Sequence, residues 1–248
     1  MSKRGLSLFV SAVMLTMFAL TGCGGGTKAP EESKAVESSE TAGESKSEEA
    51  KSEASKDASK VIVVGYAQVG AESDWRTANT ESFKSTFVPE NGYELIFNDA
   101  QQKQENQIKA IRDFIQQEVD YIVLAPVVET GWDTVLQEAK DAGIPVILSD
   151  RMIKTSDDSL YTALVCGDFI KEGETAGHWL EEYLRSKSAD NDKKINIVTL
   201  QGTIGASAQV GRTDGFANIL AQHSNWNMLA KQTGEFTQSK GQEVMESF

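Results

Sequence analysis

The sequence predicts an α/β fold over residues 61–248, a parallel sheet flanked by helices. Three observations carry that prediction. Short apolar runs of strand length recur at wide spacing, helical patterns lie between them, and glycine or proline signals mark several of the boundaries. A strand, a helix and another strand in succession form a βαβ unit with parallel strands and a right-handed crossover. Ligands in such sheets sit beyond the carboxyl ends of the strands, so the segments after each strand are where binding groups are expected.

The first 60 of the 248 residues lie outside this pattern. Lys3 and Arg4 open the chain, an apolar run extends from about Leu6 to Leu20, and Leu20-Thr21-Gly22-Cys23 follows. A basic start, a short apolar core and small residues describe a secretory signal over residues 1–22. The run is shorter than the ~20 residues a membrane-spanning helix needs. Leu-Thr-Gly-Cys resembles a lipoprotein cleavage box, which implies cleavage before Cys23 and lipidation there. Residues 24–60 are mostly Gly, Ser, Glu, Lys, Ala, Thr and Asp, with Val36 the one branched aliphatic. Such a stretch buries too little apolar surface to offset its ordering entropy, so 23–60 reads as a lipidated cysteine and a disordered acidic tether. A flexible coil of that length reaches roughly 30–35 Å.

The first strand is Val61-Ile62-Val63-Val64-Gly65, apolar throughout as a strand covered on both faces would be. A helix is expected from Trp75 to Phe87, then a strand at Glu94-Leu95-Ile96-Phe97. Gln104 to Glu118 carries Ile108, Ile111, Phe114 and Ile115 at helical spacing, and Tyr121-Ile122-Val123-Leu124 is the next strand. Trp132 to Ala142 is a helix stopped by Gly143 and Pro145, ahead of the run Pro145-Val146-Ile147-Leu148. Further on come a helix over Gly173–Arg185, a strand over Ile195–Leu200 and a helix over Val210–Gln222. Cys166, beside Ala163, Leu164 and Val165, reads as a small buried hydrophobe.

The strand ends offer several candidates. Trp75 and Arg76 follow the first strand. Trp75 is placed either to stack on the C–H face of a sugar or to cover the sheet, and Arg76 either to donate from its fork or to be solvated; position leaves both open. Asp150 and Arg151 end the fourth strand. An ionised Asp accepts from vicinal hydroxyls and an Arg donates to sugar oxygens, whereas a local surface ion pair would be worth only about 0–1 kcal/mol. The loop Gly202-Thr203-Ile204-Gly205-Ala206-Ser207 lacks the Gly-Lys-Ser/Thr of a phosphate-binding loop and the second glycine of a nucleophile elbow, so it reads as a tight turn. His178 and His223 share no ligand spacing with each other or with Cys166. No metal site, cofactor site or catalytic set is expected, so the chain is read as non-enzymatic. A net charge of −13 argues against nucleic acid as a partner.

From about Lys60 onward the chain resembles the periplasmic sugar-binding proteins of ABC transporters, in the ribose/galactose-binding type I group. The resembling stretches are Gly65–Arg76, Gln101–Ala110, Ala125–Val128, Thr130-Gly131-Trp132, Asp150-Arg151, Leu200–Thr203, Gly205–Ser207, Arg212, Gly215-Phe216, and Phe236-Thr237 with Ser239-Lys240-Gly241. The resemblance implies two Rossmann-like lobes joined by hinges, at 61–165 and 166–248, with a sugar in the cleft between them. It implies that Trp75 and Phe236 stack on the sugar from opposite lobes. Arg76, Asp150, Arg151 and Arg212 would then hydrogen-bond to it, with Glu72 a further contact. Asp168-Phe169 departs from the family's Asp-Asn, which puts a hinge-side contact in doubt. The chain stops at Phe248 inside an expected helix, so the resemblance also implies that the C-terminal part of the second lobe is missing. The expected function is capture of a monosaccharide, galactofuranose-like or related, for import by ABC permease subunits. The protein would act as a monomer held at the membrane by its lipid. The alternative is a sensing module that presents its closed form to a membrane sensor kinase.

Overall fold

The computed structural model describes residues 60–187 and 193–248. The signal segment, Cys23 and the tether through residue 59 lie outside the described residues. Among the described residues no helix is long and apolar enough to cross a membrane.

Strands β1 (Ile62–Gln68), β2 (Tyr93–Asp99), β3 (Tyr121–Leu124), β4 (Val146–Asp150) and β5 (Ala163–Cys166) form one sheet in the order β2-β1-β3-β4-β5. All neighbours run parallel. Residues alternate across the pleat, so each strand feeds two cores. Val64, Tyr66 and Val123 pack on one face with Phe83 and Phe87, from helix α1 (Asp74–Thr86) and the residue that caps it. Ala67, Ile122 and Leu124 pack on the other face against Ile111 and Phe114 of α2 (Gln104–Gln116) and Leu136 of α3 (Asp133–Asp141). Gly65 has the Phe114 ring directly over it, and a Cβ there would lie 2.5 Å from Cγ of that ring.

Local chemistry sets the helix ends. The Ser73 side chain accepts from the Arg76 N–H and so caps α1. Gly143, at φ +73°, closes α3 ahead of Pro145. Strand order reverses at β1, which lies between β2 and β3, and this is the switch point where open α/β sheets bind ligands. Buried Gln107 ties that point together. Its amide donates to the carbonyls of Ala67 (3.0 Å) and Ala125 (2.7 Å), and its carbonyl accepts from Val127 N–H (3.0 Å).

The chain then passes through Asp168, which caps α4 (Phe169–Ser186) by accepting from Lys171 N–H at 2.9 Å. Strands β6 (Ile195–Gln201) and β7 (Trp226–Thr233) form a separate parallel pair, with α5 (Ser207–Leu220) between them in sequence and α6 (Gln238–Ser247) after them. Helices α4 and α5 touch backbone to backbone. A Cβ on Gly215 would lie 2.0 Å from the Ile170 carbonyl oxygen, so no side chain fits there.

Cys166 does not occupy the buried position expected of it. It is exposed, because β5 is the edge strand and little covers its outer residues; Val165 beside it is 70% exposed. Strands β5 and β7 were not among the expected elements, and β2 is longer than its apolar run.

Candidate functional site

The loop after β1 and the end of β4 meet at the carboxyl edge of the first sheet. There the structure gathers Glu72, Arg76, Asp150 and Arg151 into one cluster. Glu72 Oε1 accepts from Arg76 Nε at 3.1 Å and from Arg151 Nη2 at 3.4 Å. Arg76 Nη2 donates to Asp150 Oδ2 at 2.5 Å, and Arg151 Nε lies 3.7 Å from the same oxygen. The side chains of Glu72 and Arg76 are each 2% exposed and that of Arg151 is 5%. The solvated Arg76 and the surface Asp-Arg pair, left open by position, are therefore not what this fold adopts.

Two positive and two negative groups sum to zero, which is what makes their joint burial tolerable. Burial pulls the Arg76 guanidinium down, but Asp150 and Glu72 outweigh it and hold its pKa above the ordinary value. Arg151 shows the opposite balance. Burial, then repulsion from Arg76, lowers it to about 10, so it keeps its charge at neutral pH. Glu72 Oε2 is buried and has no hydrogen-bond partner. An unpaired buried carboxylate oxygen is costly, and one beside two guanidinium groups is poised to accept from a hydroxyl.

A second layer holds these groups still. Asn79 Oδ1 accepts from Tyr66 Oη (2.9 Å), from Gln68 Nε2 (2.8 Å) and from Arg76 Nη1 (3.5 Å). Burial raises the Tyr66 phenol far above its usual range, so it remains a donor. Arg151 Nη1 donates to the Val127 carbonyl at 3.3 Å. Sequence reasoning missed Tyr66, Asn79 and Gln68; the signal was Asn79, one turn after Arg76 on the same helix face.

Aromatic groups flank the cluster. Trp75 is 58% exposed, and the Arg76 guanidinium lies 4.8 Å from its ring centre. Trp75 therefore does not cover the sheet. Phe236, from the segment after β7, places its ring 5.1 Å from the Arg151 guanidinium carbon. Phe236 sits at φ +58° and Glu235 at φ +56°, left-handed backbone that is unfavourable for a bulky residue and costs about 1–3 kcal/mol. Gly202 accommodates the ring, since a Cβ there would lie 1.9 Å from Phe236 Cζ.

Arg212 stands apart from the cluster. Its Nε donates to Glu172 Oε2 at 2.7 Å and its guanidinium covers the Phe169 ring at 5.2 Å, with the side chain about half exposed. Its charge still reaches Arg151 and adds to the lowering there. Glu172 was also missed in the sequence. Both histidines lie elsewhere: His178 approaches Glu181 on α4, and His223 stacks on Trp226.

Comparison with known proteins gives consistent results. The family described as periplasmic binding protein domain matches residues 63–248. The chain is 50% identical over 187 residues to the galactofuranose-binding protein YtfQ of Escherichia coli K12, covering 75% of this chain and 57% of that protein. Among solved structures, a Mycobacterium smegmatis protein in complex with beta-D-fucofuranose is 51% identical with a TM-score of 0.70, covering 75% of this chain and 60% of that one. The periplasmic binding component of the arabinose ABC transporter from Shewanella sp. ANA-3, bound to alpha and beta-L-arabinofuranose, is 49% identical with a TM-score of 0.69, covering 75% and 59%. The chain thus spans less than two thirds of the length of each of these relatives.

Proposed function

This chain belongs to the periplasmic binding protein domain family, and we propose that it captures a monosaccharide in furanose form outside the membrane and delivers it to ABC permease subunits. The observation that carries the reading is the buried, electroneutral cluster of Glu72, Arg76, Asp150 and Arg151 between two aromatic rings. A neutral polyol matches it. Vicinal hydroxyls donate to Asp150 and to Glu72 Oε2, and the guanidinium forks of Arg76 and Arg151 donate to ring and hydroxyl oxygens. Trp75 and Phe236 cover the apolar C–H faces of the sugar from opposite sides, and Arg212 swings from Glu172 to add a donor.

The relatives' ligands support a furanose: the three proteins above are named for, or hold, galactofuranose, fucofuranose and arabinofuranose. Capture proceeds by hinge closure between residues 61–165 and 166–248, which excludes water and presents a joint surface to the permease. The signal segment 1–22, the lipid on Cys23 and the tether to residue 60 are part of this proposal. They keep a monomer within reach of its transporter.

Calorimetric titration of the full-length, tether-free protein with furanose- and pyranose-locked analogues of galactose, arabinose and fucose, and with ribose, tests the reading. Binding of one furanose at about micromolar Kd or tighter, roughly −8 kcal/mol, is the expected result. Failure to bind any sugar overturns it. The anchor has its own test: Cys23→Ala is expected to abolish incorporation of a labelled fatty acid into the protein.

A further inference from the structure

The loop 202–207 between β6 and α5 reads in the sequence as a plain turn, yet the structure docks it onto the binding segments of the first sheet. Ser207 Oγ accepts from Met152 N–H at 2.9 Å, and the Gly205 carbonyl accepts from Glu129 N–H at 2.9 Å. Ser207 is buried. It is the first residue of α5, one position too late to cap its own helix, and Ala206 at the capping position has no side chain to do so. A capping hydroxyl is worth about 1 kcal/mol, and α5 goes without one while the hydroxyl next to its capping position serves Met152. Local rules are broken in this way mainly at functional sites.

Met152 is where that bond matters. Arg151 N–H donates to the Ser149 carbonyl at 2.7 Å across Asp150, whose φ is +66°. This is a three-residue γ-turn of the rare, strained kind. It presents Asp150 and Arg151 side by side to Arg76 and Glu72. The next N–H in the chain, that of Met152, is the one Ser207 holds. The clamp is itself rigid: Gly205 N–H donates to Gln209 Oε1 (3.1 Å), Ala206 N–H to the Thr203 carbonyl (3.1 Å), and Thr233 Oγ1 to the Gly202 carbonyl (2.7 Å).

We infer that Ser207 is a positioning residue for sugar binding, which pins the exit of the strained turn so that Asp150 and Arg151 face the ligand. The inference rests on the sugar-binding reading above. Ser207 acts from the second sheet on ligand groups of the first, so it favours the arrangement in which both parts of the site are engaged.

The test uses the full-length protein and the furanose that binds it best. Ser207→Ala removes the acceptor and is expected to weaken binding about tenfold, through the dissociation rate rather than the association rate. Amide exchange at Met152 should speed up by a similar factor. Ser207→Thr keeps the hydroxyl and is expected to retain wild-type affinity, which a mere packing role would not predict. In an Arg151→Ala background the effect of Ser207→Ala should shrink, since the share that acts through Arg151 is lost. Ser207→Cys, similar in volume with a weaker acceptor, should fall between wild type and Ala and serves if the Ala variant does not fold. Wild-type affinity and dissociation rate in Ser207→Ala, or an undiminished effect in the Arg151→Ala background, would overturn the inference. A wild-type protein that binds no sugar overturns instead the reading beneath it.

Discussion

The two sheets follow the same strand-helix alternation but are covered to different degrees. The first has packed cores on both faces, with Tyr66, Ile122 and Leu124 fully buried. The second leaves Val198 and Leu200 exposed, and an apolar groove of about 970 Å³ runs along β6, lined by Trp179, Leu180, Ile197 and Phe216. The groups proposed for binding and positioning divide along the same line. The four charged groups all stand on the well-covered sheet, while the second contributes an aromatic ring, a serine hydroxyl and a half-exposed arginine. Burying four charges is tolerable only where every partner is held in place, because one lost partner strands a charge in low dielectric. A ring and a hydroxyl make smaller demands of their surroundings.

Arg76→Ala should break this arrangement most severely. It leaves Asp150 and Glu72 buried without their main partner, and a loss of about 3–5 kcal/mol is expected in urea unfolding. A packing contrast comes next. Ile122→Ala, on a fully buried β3 position, should cost about 2–5 kcal/mol. Val198→Ala, on an exposed β6 position, should stay below about 1 kcal/mol. Equal costs for these two would erase the difference between the sheets. Arg212→Ala, which breaks a half-exposed pair with Glu172, should change stability by only about 0–1 kcal/mol.

The smallest effect is at the start of β1. Asp120 accepts from Lys60 Nζ and from Val63 N–H, and these bonds hold its carboxyl below the usual range. A carboxylate depressed in the folded state contributes stability above its unfolded pKa and loses it as pH falls through the folded one. Wild type should therefore lose slightly more stability than Asp120→Asn as pH drops from 5 toward about 3. Equal acid sensitivity in the two proteins would show that this pair contributes nothing.

Much of the first sheet was legible because strands covered on both faces are continuous apolar runs, as Val61–Gly65 and Tyr121–Leu124 are. β7 was not, because its solvent-facing residues interrupt the run: Trp226-Asn227-Met228-Leu229-Ala230-Lys231-Gln232-Thr233 has no clean period. The four apolar-looking residues of β5 are visible in the sequence, but their place at the sheet edge is not, and so Cys166 reads there as buried although it is exposed. At the site, the positions of Trp75, Arg76, Asp150 and Arg151 after strands marked them as candidates. The burial of the three charged residues among them depended on contacts the sequence does not display. Glu72 meets Arg151 across 79 positions, and Arg76 meets Asp150 across 74. Ser207 looked like part of a turn because its partner is a backbone N–H 55 residues away.

Arg151→Lys decides whether the buried cluster is the sugar site. The substitution keeps the charge beside Glu72 and Asp150 but removes the planar fork. Calorimetric titration of the folded variant with the preferred furanose should show affinity lowered by about a hundredfold. Affinity equal to that of the wild type would contradict the claim and place the ligand elsewhere in the molecule.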